Sequence, residues 1–278
     1  MIAIVLGLSS AALYGSADFI GGMAAKRAAV LCVTAVSQSV GLIVLLAMLP
    51  FFPGRAAQGD WGWGLAGGVC GGIGISLLYH ALSIGKMGVV SPVTAVVAAA
   101  LPVGVGILRG DPLRWFQLAG IAAAMLAVVT ISFSKEESGE REIATSGLKE
   151  AILAGVAIGG FFIVLGLSRP SAGLSTLLAA RIGSVAFLLL LAAATRTSLR
   201  TGGKTFAMLA LTGAIDMSAN AMYVVAAQTG ELAIASVLAS LYPASTVFLA
   251  RAVLKERLQF VQRIGVALAL VGVALIAA

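Results

Sequence analysis

Charge is what this sequence has least of. Only 10% of its 278 residues are Asp, Glu, Lys or Arg, whereas a water-soluble domain carries about a quarter. A soluble enzyme is excluded on that ground. Histidine occurs once, at His80, and cysteine twice, at Cys32 and Cys70. Both cysteines lie alone inside apolar segments without CxxC or histidine spacing, so no metal, redox centre or cofactor is expected and both read as packing residues. Nucleotide-binding signals are lacking too. The glycine run GLAGGVCGGIG (64–74) sits inside an apolar span with no strand before it, which is not the context of a phosphate-binding loop. Acidic residues number 11 against 18 basic ones, giving a net charge of +7 and a pI near 9.9. The basic residues come in ones and twos between apolar runs, a pattern of membrane topology and not of a nucleic-acid surface.

What is present is apolar surface. Hydrophobic residues make up 60% of the chain, with 34 glycines and a mean hydropathy of +1.07. Ten membrane spans of about 21 residues each would leave about 70 residues, enough for short loops but not for a soluble catalytic domain, ectodomain or long tail. Apolar runs between turn and charge signals predict helices near 2–22, 30–51, 61–84, 88–109 and 113–133, then 148–168, 172–194, 205–228, 231–252 and 257–277. The first is expected to be retained, since no cationic region precedes it and Lys26-Arg27 follow it. Residues 135–147 (KEESGEREIATSG) read as the single polar linker, dividing a first unit, 1–134, from a second, 148–278.

The two units are related. At an offset of 145 residues Gly85, Ser91, Leu113, Gln117 and Gly120 fall on Gly230, Ser236, Leu258, Gln262 and Gly265. At an offset of 148, AIVLG (3–7) falls on AILAG (151–155). Five spans per unit is an odd number, so the second copy enters the membrane inverted. The expected fold is an all-α membrane protein of ten transmembrane helices in two inverted five-helix repeats. Such a pair has a pseudo-two-fold axis in the membrane plane and two near-equivalent packings, one open to each face.

The span order, the stretch YGSADFIGGMAAKR (14–27), the prolines of the fourth and ninth spans and the pattern LKERLQFVQRIG (254–265) resemble the EamA transporters of the drug/metabolite transporter superfamily. The resemblance covers nearly the whole chain and is strongest over 223–278. It implies a bacterial inner-membrane exporter of amino acids, other metabolites or drugs. Relatives commonly carry Gly-Glu-Arg after the fourth span, where this chain has Gly110-Asp111-Pro112.

Loops after odd-numbered spans hold twelve basic residues: Lys26, Arg27, Lys86, Lys135, Arg141, Lys149, Arg196, Arg200, Lys204, Arg251, Lys255 and Arg257. The opposite loops hold four, Arg55, Arg109, Arg114 and Arg169. By the positive-inside rule the richer side is cytoplasmic and both termini lie outside. The family resemblance implies the reverse.

A charge near mid-membrane costs a few kcal/mol and needs a partner or a purpose. Asp216 lies ~16 Å into the eighth span and Arg181 ~14 Å into the seventh, which runs the other way. The two can meet, either as a fixed brace or as a pathway element, with Asp216 taking a proton or Arg181 meeting a substrate carboxylate. Asp18 and His80 share a similar depth and form a second candidate pair for proton coupling. Lys86 and Glu231 hold matching positions before the fourth and ninth spans and read as solvated. Pro102 and Pro243 each free the carbonyl four residues earlier, at Ala98 and Ala239, which is tolerated beside a cavity. Around these bends Tyr14, Ser76, Tyr79, Thr94, Ser218, Asn220, Tyr223, Ser240 and Tyr242, with Arg181, are the candidate substrate contacts. Aromatic faces and neutral hydrogen-bonding groups suit a small zwitterion, an aromatic or apolar metabolite, or a hydrophobic drug better than a phosphate. Gly64, Gly68 and Gly72 have the spacing for close helix contact, and Trp61, Trp63 and Trp115 read as interfacial anchors.

These features predict a secondary transporter working by alternating access, driven by a proton or solute gradient. A facilitator or exchanger without a proton step is the alternative. Outside that class stand an intramembrane enzyme, disfavoured by the lone imidazole, and a membrane scaffold. The expected partners are a small-molecule substrate, the lipid bilayer and a coupling proton, with no nucleic acid. The working unit is a monomer or a weak homodimer.

Overall fold

A computed structural model describes residues 2–51, 58–108, 114–132, 146–166, 174–229, 238–239 and 241–277. Ten helices carry the fold among these residues: α1 Ile2–Ala25, α2 Val30–Met48, α3 Gln58–Ile84, α4 Met87–Leu108, α5 Trp115–Ser132, α6 Leu148–Gly166, α7 Leu174–Ala194, α8 Gly203–Thr229, α9 Tyr242–Val253 and α10 Phe260–Ala277. No strand occurs among them. Four of these, α1, α2 (with its 3-10 turn Leu49–Phe51), α3 and α7, are long and apolar enough to cross a membrane. Residues 133–145, and so most of the expected linker, lie outside the described residues, as do Gly110, Asp111, Gly230, Glu231, Ser236 and Ser240.

Large apolar side chains cover the outside of the bundle as well as its interior. Leu190 is 71% exposed and Phe248 69%, while Arg181, Asp18, Ser10, Thr34 and Gln262 are buried. Large apolar residues facing outward over most helices fit a hydrocarbon solvent, and buried polar groups fit a bundle interior. Trp61, Trp63 and Trp115 are all exposed near helix starts, where interfacial anchors belong.

Helix pairing runs across the two units. Helix α1 packs on α8 and α9, α2 on α7 and α8, α3 on α6 and α7, α4 on α6, α9 and α10, and α5 on α10. Close approach depends on missing side chains at two places in particular. A Cβ at Gly68 of α3 would run into the Ala180 carbonyl of α7, and one at Gly213 of α8 would run into the Ser37 carbonyl of α2. Backbones that touch this way gain dispersion and interhelical contact that larger residues would block. Gly64 meets α7 similarly, whereas Gly72 has only ordinary contacts.

Local signals fix several helix ends. Arg114 N–H donates to Gln117 Oε1 (3.1 Å) at the start of α5, and Gln259 N–H donates to Gln262 Oε1 (3.0 Å) at the start of α10. Each glutamine reaches back over the first turn as in a capping box. At α7 the chain stops on Arg196, whose φ of 53° is left-handed, with Thr197 N–H on Ala192 O (2.9 Å) as in a Schellman turn. After α9, Lys255 is left-handed too (φ 55°) and turns Glu256 toward α4. There the Glu256 carboxylate accepts the N–H groups of Met87 and Gly88, both at 3.1 Å, an anion placed where the α4 dipole favours it.

The proline reading changes in one helix. Pro102 does lie inside α4, and so does Pro92, which the sequence reading passed over. Pro243 instead sits in the first turn of α9, with Leu241 as N-cap. Its missing N–H would have had no helical partner within α9, so it suits the first turn of that helix.

Gly68→Ala and Gly213→Ala should each destabilise the fold by about 1–3 kcal/mol, the usual penalty for overpacking. Gly62→Ala, with open space at its Cβ, should leave stability unchanged. Thermal unfolding in detergent reads the difference.

Candidate functional site

The bundle interior holds an ion pair between α7 and α8. Arg181 Nη2 lies 2.8 Å from Asp216 Oδ2. Arg181 and Asp216 each stand thirteen residues from the Ala194 and Gly203 ends of their helices, or about 20 Å in at the rise of an α-helix. The guanidinium is nearly enclosed, with 7% of its side chain exposed, against 17% for the aspartate.

A third helix completes the arrangement. Arg181 Nη1 donates to Gln38 Oε1 of α2, and Ser184 Oγ, one turn further along α7, reaches the same oxygen at 3.3 Å. A Cβ added at Gly41 would meet the guanidinium at about van der Waals range. Gln38 and Ser184 were not singled out from the sequence. Applying the mid-span rule for charges to neutral amides would have found Gln38, since it is an isolated amide in an apolar helix.

Asp18 of α1 lies close enough to Asp216 for the two charges to act on each other. It is buried, and no cation pairs with it among the described residues. Tyr14 and Tyr79 lie in the field of both aspartates and of Arg181, and Tyr242 in that of Asp18. Tyr223 acts on Tyr14. The rings of Tyr14 and Tyr242 meet edge to face at 6.3 Å, joining the start of α9 to α1. The centre therefore holds two carboxylates, one guanidinium, one amide and four tyrosines from α1, α2, α3, α7, α8 and α9.

Other candidates are spent elsewhere. Thr94 Oγ1 donates to Ala151 O (3.1 Å) and ties α4 to α6. Ser76 Oγ bonds its own helix at Gly72 O (2.8 Å) and lies 3.2 Å from Thr34 Oγ1. Ser218 Oγ bonds Ala214 O, and Asn220 Nδ2 donates to Asp216 O (2.8 Å), so both brace α8 while remaining half-buried near the pair. His80 is exposed and stands apart from Asp18. The candidate Asp18–His80 pair has no salt bridge among the described residues, because Asp18 turns into the bundle and His80 out of it.

Removing one partner of a buried pair strands the other. Asp216→Leu, which leaves Arg181 with Gln38 alone, should cost about 3–5 kcal/mol. Gln38→Leu, which removes a neutral acceptor, should cost about 1–3 kcal/mol. Thermal unfolding in detergent orders the two.

Comparison with known proteins places this centre in a wider context. The EamA-like transporter family model matches residues 1–133 and again 145–278. One solved structure, described only as a crystal structure of a protein, superposes with a TM-score of 0.64 at 15% identity, covering 98% of this chain and 95% of that one. At that identity the likeness concerns the fold alone. No curated protein matches the sequence. With the family model spanning both units, the chain is a membrane protein that belongs to the EamA-like transporter family of the drug/metabolite transporter superfamily.

Proposed function

We propose that this chain is a secondary transporter, an exporter of small metabolites such as amino acids or of drugs, working by alternating access around the Arg181–Asp216 centre in a bacterial inner membrane. The observation that carries this reading is the composition of the centre. A guanidinium, two carboxylates and a tyrosine shell meet deep in an otherwise apolar bundle. Intramembrane charges of this kind mark substrate and ion pathways. A zwitterion matches them, since its carboxylate suits Arg181, its ammonium suits Asp18, and its side chain suits the tyrosines.

The inverted-repeat reading draws support from three directions. One family model fits each unit in turn. The helix pairings persist when the units are exchanged: α1 with α8 becomes α6 with α3, α2 with α8 becomes α7 with α3, and α4 with α6 becomes α9 with α1. Gly68 and Gly213, and likewise Gln117 and Gln262, do equivalent work at the 145-residue offset. Two such units supply the bistable element that alternating access requires.

The largest apolar core gathers Ala24, Cys32, Val33, Leu82, Met87, Val89, Val90, Leu209 and Ala250. These lie near the ends of α1, α3 and α9 and the starts of α2, α4 and α8, where Glu256 also grips α4. We read this as a state closed at that end, with the centre reached from the other.

In the coupled form, a proton on Asp216 weakens its hold on Arg181 and favours one facing state, while substrate favours the other. The pairing already in place also favours a second reading. In an exchanger, the carboxylate of one substrate replaces Asp216 on Arg181 and leaves only when another arrives, with no proton step. Efflux of a mixed panel of amino acids and lipophilic cations from proteoliposomes, with and without a proton gradient, separates these. Gradient-dependent efflux that becomes gradient-independent in Asp216→Asn is expected for the coupled transporter. Unchanged coupling in Asp216→Asn would sink the proton mechanism.

A further inference from the structure

A polar cavity of about 270 Å³ lies away from the Arg181–Asp216 centre, between the turn joining α1 to α2 and the segment joining α7 to α8. Arg27, Ala28, Ala29 and Cys32 line one wall, and Ser198, Arg200, Thr201, Gly202 and Thr205 the other. Three features of this cavity ask for an anion.

The first is charge without an answer. Arg27 directs Nη1 at the Met208 thioether, 3.7 Å away, and neither Arg27 nor Arg200 has a carboxylate partner among the described residues. The sequence explains why. Residues 19–59 and 151–215, which include all of α2 and α7 and only the cavity-side ends of α1 and α8, contain no Asp or Glu, while Lys26, Arg27, Arg196, Arg200 and Lys204 fall within a few residues of it.

The second is a set of donors aimed at the same space. Helix α8 begins at Gly203, directly after the cavity-lining Gly202, whose carbonyl accepts the Phe206 N–H (2.9 Å). The first-turn N–H groups beyond it have no partner within the helix, and the dipole end there favours negative charge. Ser198 and Thr205 add hydroxyls.

The third feature is a hydroxyl that is buried with nothing bound to it. Thr201 Oγ1 is inaccessible and has no hydrogen-bond partner. A buried hydroxyl left unsatisfied costs free energy, which a side-chain rotation of this half-buried residue toward an anion in the cavity would recover.

We propose that this cavity is a phosphate-binding site, occupied by the headgroup phosphate of an anionic phospholipid. Two guanidiniums, hydroxyl donors and a helix N-terminus form the chemistry that recognises phosphate oxygens. The membrane source is favoured by the neighbours. The cavity sits at loop-bearing helix ends, and the exposed Phe206, one turn into α8, with exposed Leu190 and Leu191 near the end of α7, offers apolar surface to acyl chains. Basic pockets between transmembrane helices at the interface bind phospholipid headgroups in this way. The site is independent of the transport reading, since none of its residues belongs to the central cluster.

Native mass spectrometry of the full chain, delipidated in detergent and titrated with phosphatidylglycerol, phosphatidylcholine or inorganic phosphate, tests the proposal. One tightly bound phosphatidylglycerol is expected, with no matching retention of phosphatidylcholine. Arg27→Gln with Arg200→Gln should weaken it at least about tenfold, since each basic residue near a membrane surface contributes about fivefold. Thr201→Val, which alters no charge, should weaken it less but measurably. Arg251→Gln, an exposed cation outside the cavity, should leave it unchanged. Binding of inorganic phosphate but not of phosphatidylglycerol would keep the phosphate site and overturn the lipid assignment. Equal retention of both lipids, or a loss in Arg251→Gln as large as in the double variant, would overturn the site itself.

Discussion

A guanidinium held inside an apolar bundle must be answered by several acceptors at once, and this requirement sets where α2, α7 and α8 lie. Arg181 is answered by Asp216 on one side and Gln38 on the other, with Ser184 sharing the Gln38 oxygen. Geometry this demanding needs close backbones. Gly213 on Ser37 brings α8 close to α2, and Gly68 on Ala180 seats α3 against α7. Interhelical packing and the polar centre are therefore one construction: the small residues let the helices approach, and the ion pair fixes their register. In a bilayer, where lipid tails and side chains are equally apolar, such packing and polar contacts take over the role that the hydrophobic effect plays in water.

The same centre carries an imbalance. Asp18 is buried near enough to Asp216 for the two to interact, with no salt bridge of its own among the described residues. A cation or a proton taken up there would change the balance of forces on Asp216. In the transport cycle proposed above, a ligand that changes those forces and the facing state alter each other's free energy.

Much of the fold was legible in the sequence. The apolar runs between charges placed nine of the ten helices to within a few residues, since lipid forces each span to be long and unbroken. Of the ninth, 231–252, most of the first half lies outside the described residues; its second half is α9, where Pro243 marks a first turn as readily as a bend. Depth allowed the Arg181–Asp216 contact, and the structure shows it. Gln38 was missed, because a neutral amide carries no charge to flag it, although burial makes it nearly as demanding of a partner. Thr94 and Ser76 read as cavity residues because hydroxyl chemistry is visible in sequence while a neighbouring carbonyl is not. His80 was paired with Asp18 on depth, but depth along a helix says nothing about which face a side chain occupies.

The most direct test asks whether the central pair is a brace or part of the pathway. A buried ion pair can be exchanged for apolar residues of similar volume with little loss of stability, and often a gain. Arg181→Met combined with Asp216→Leu, purified and reconstituted alone in liposomes, should therefore remain folded, with an unfolding temperature at or above that of the natural chain. A centre that handles substrate predicts that the same preparation has lost substrate flux. Undiminished flux in a stable double variant would show that the pair only holds helices together and would contradict the pathway reading.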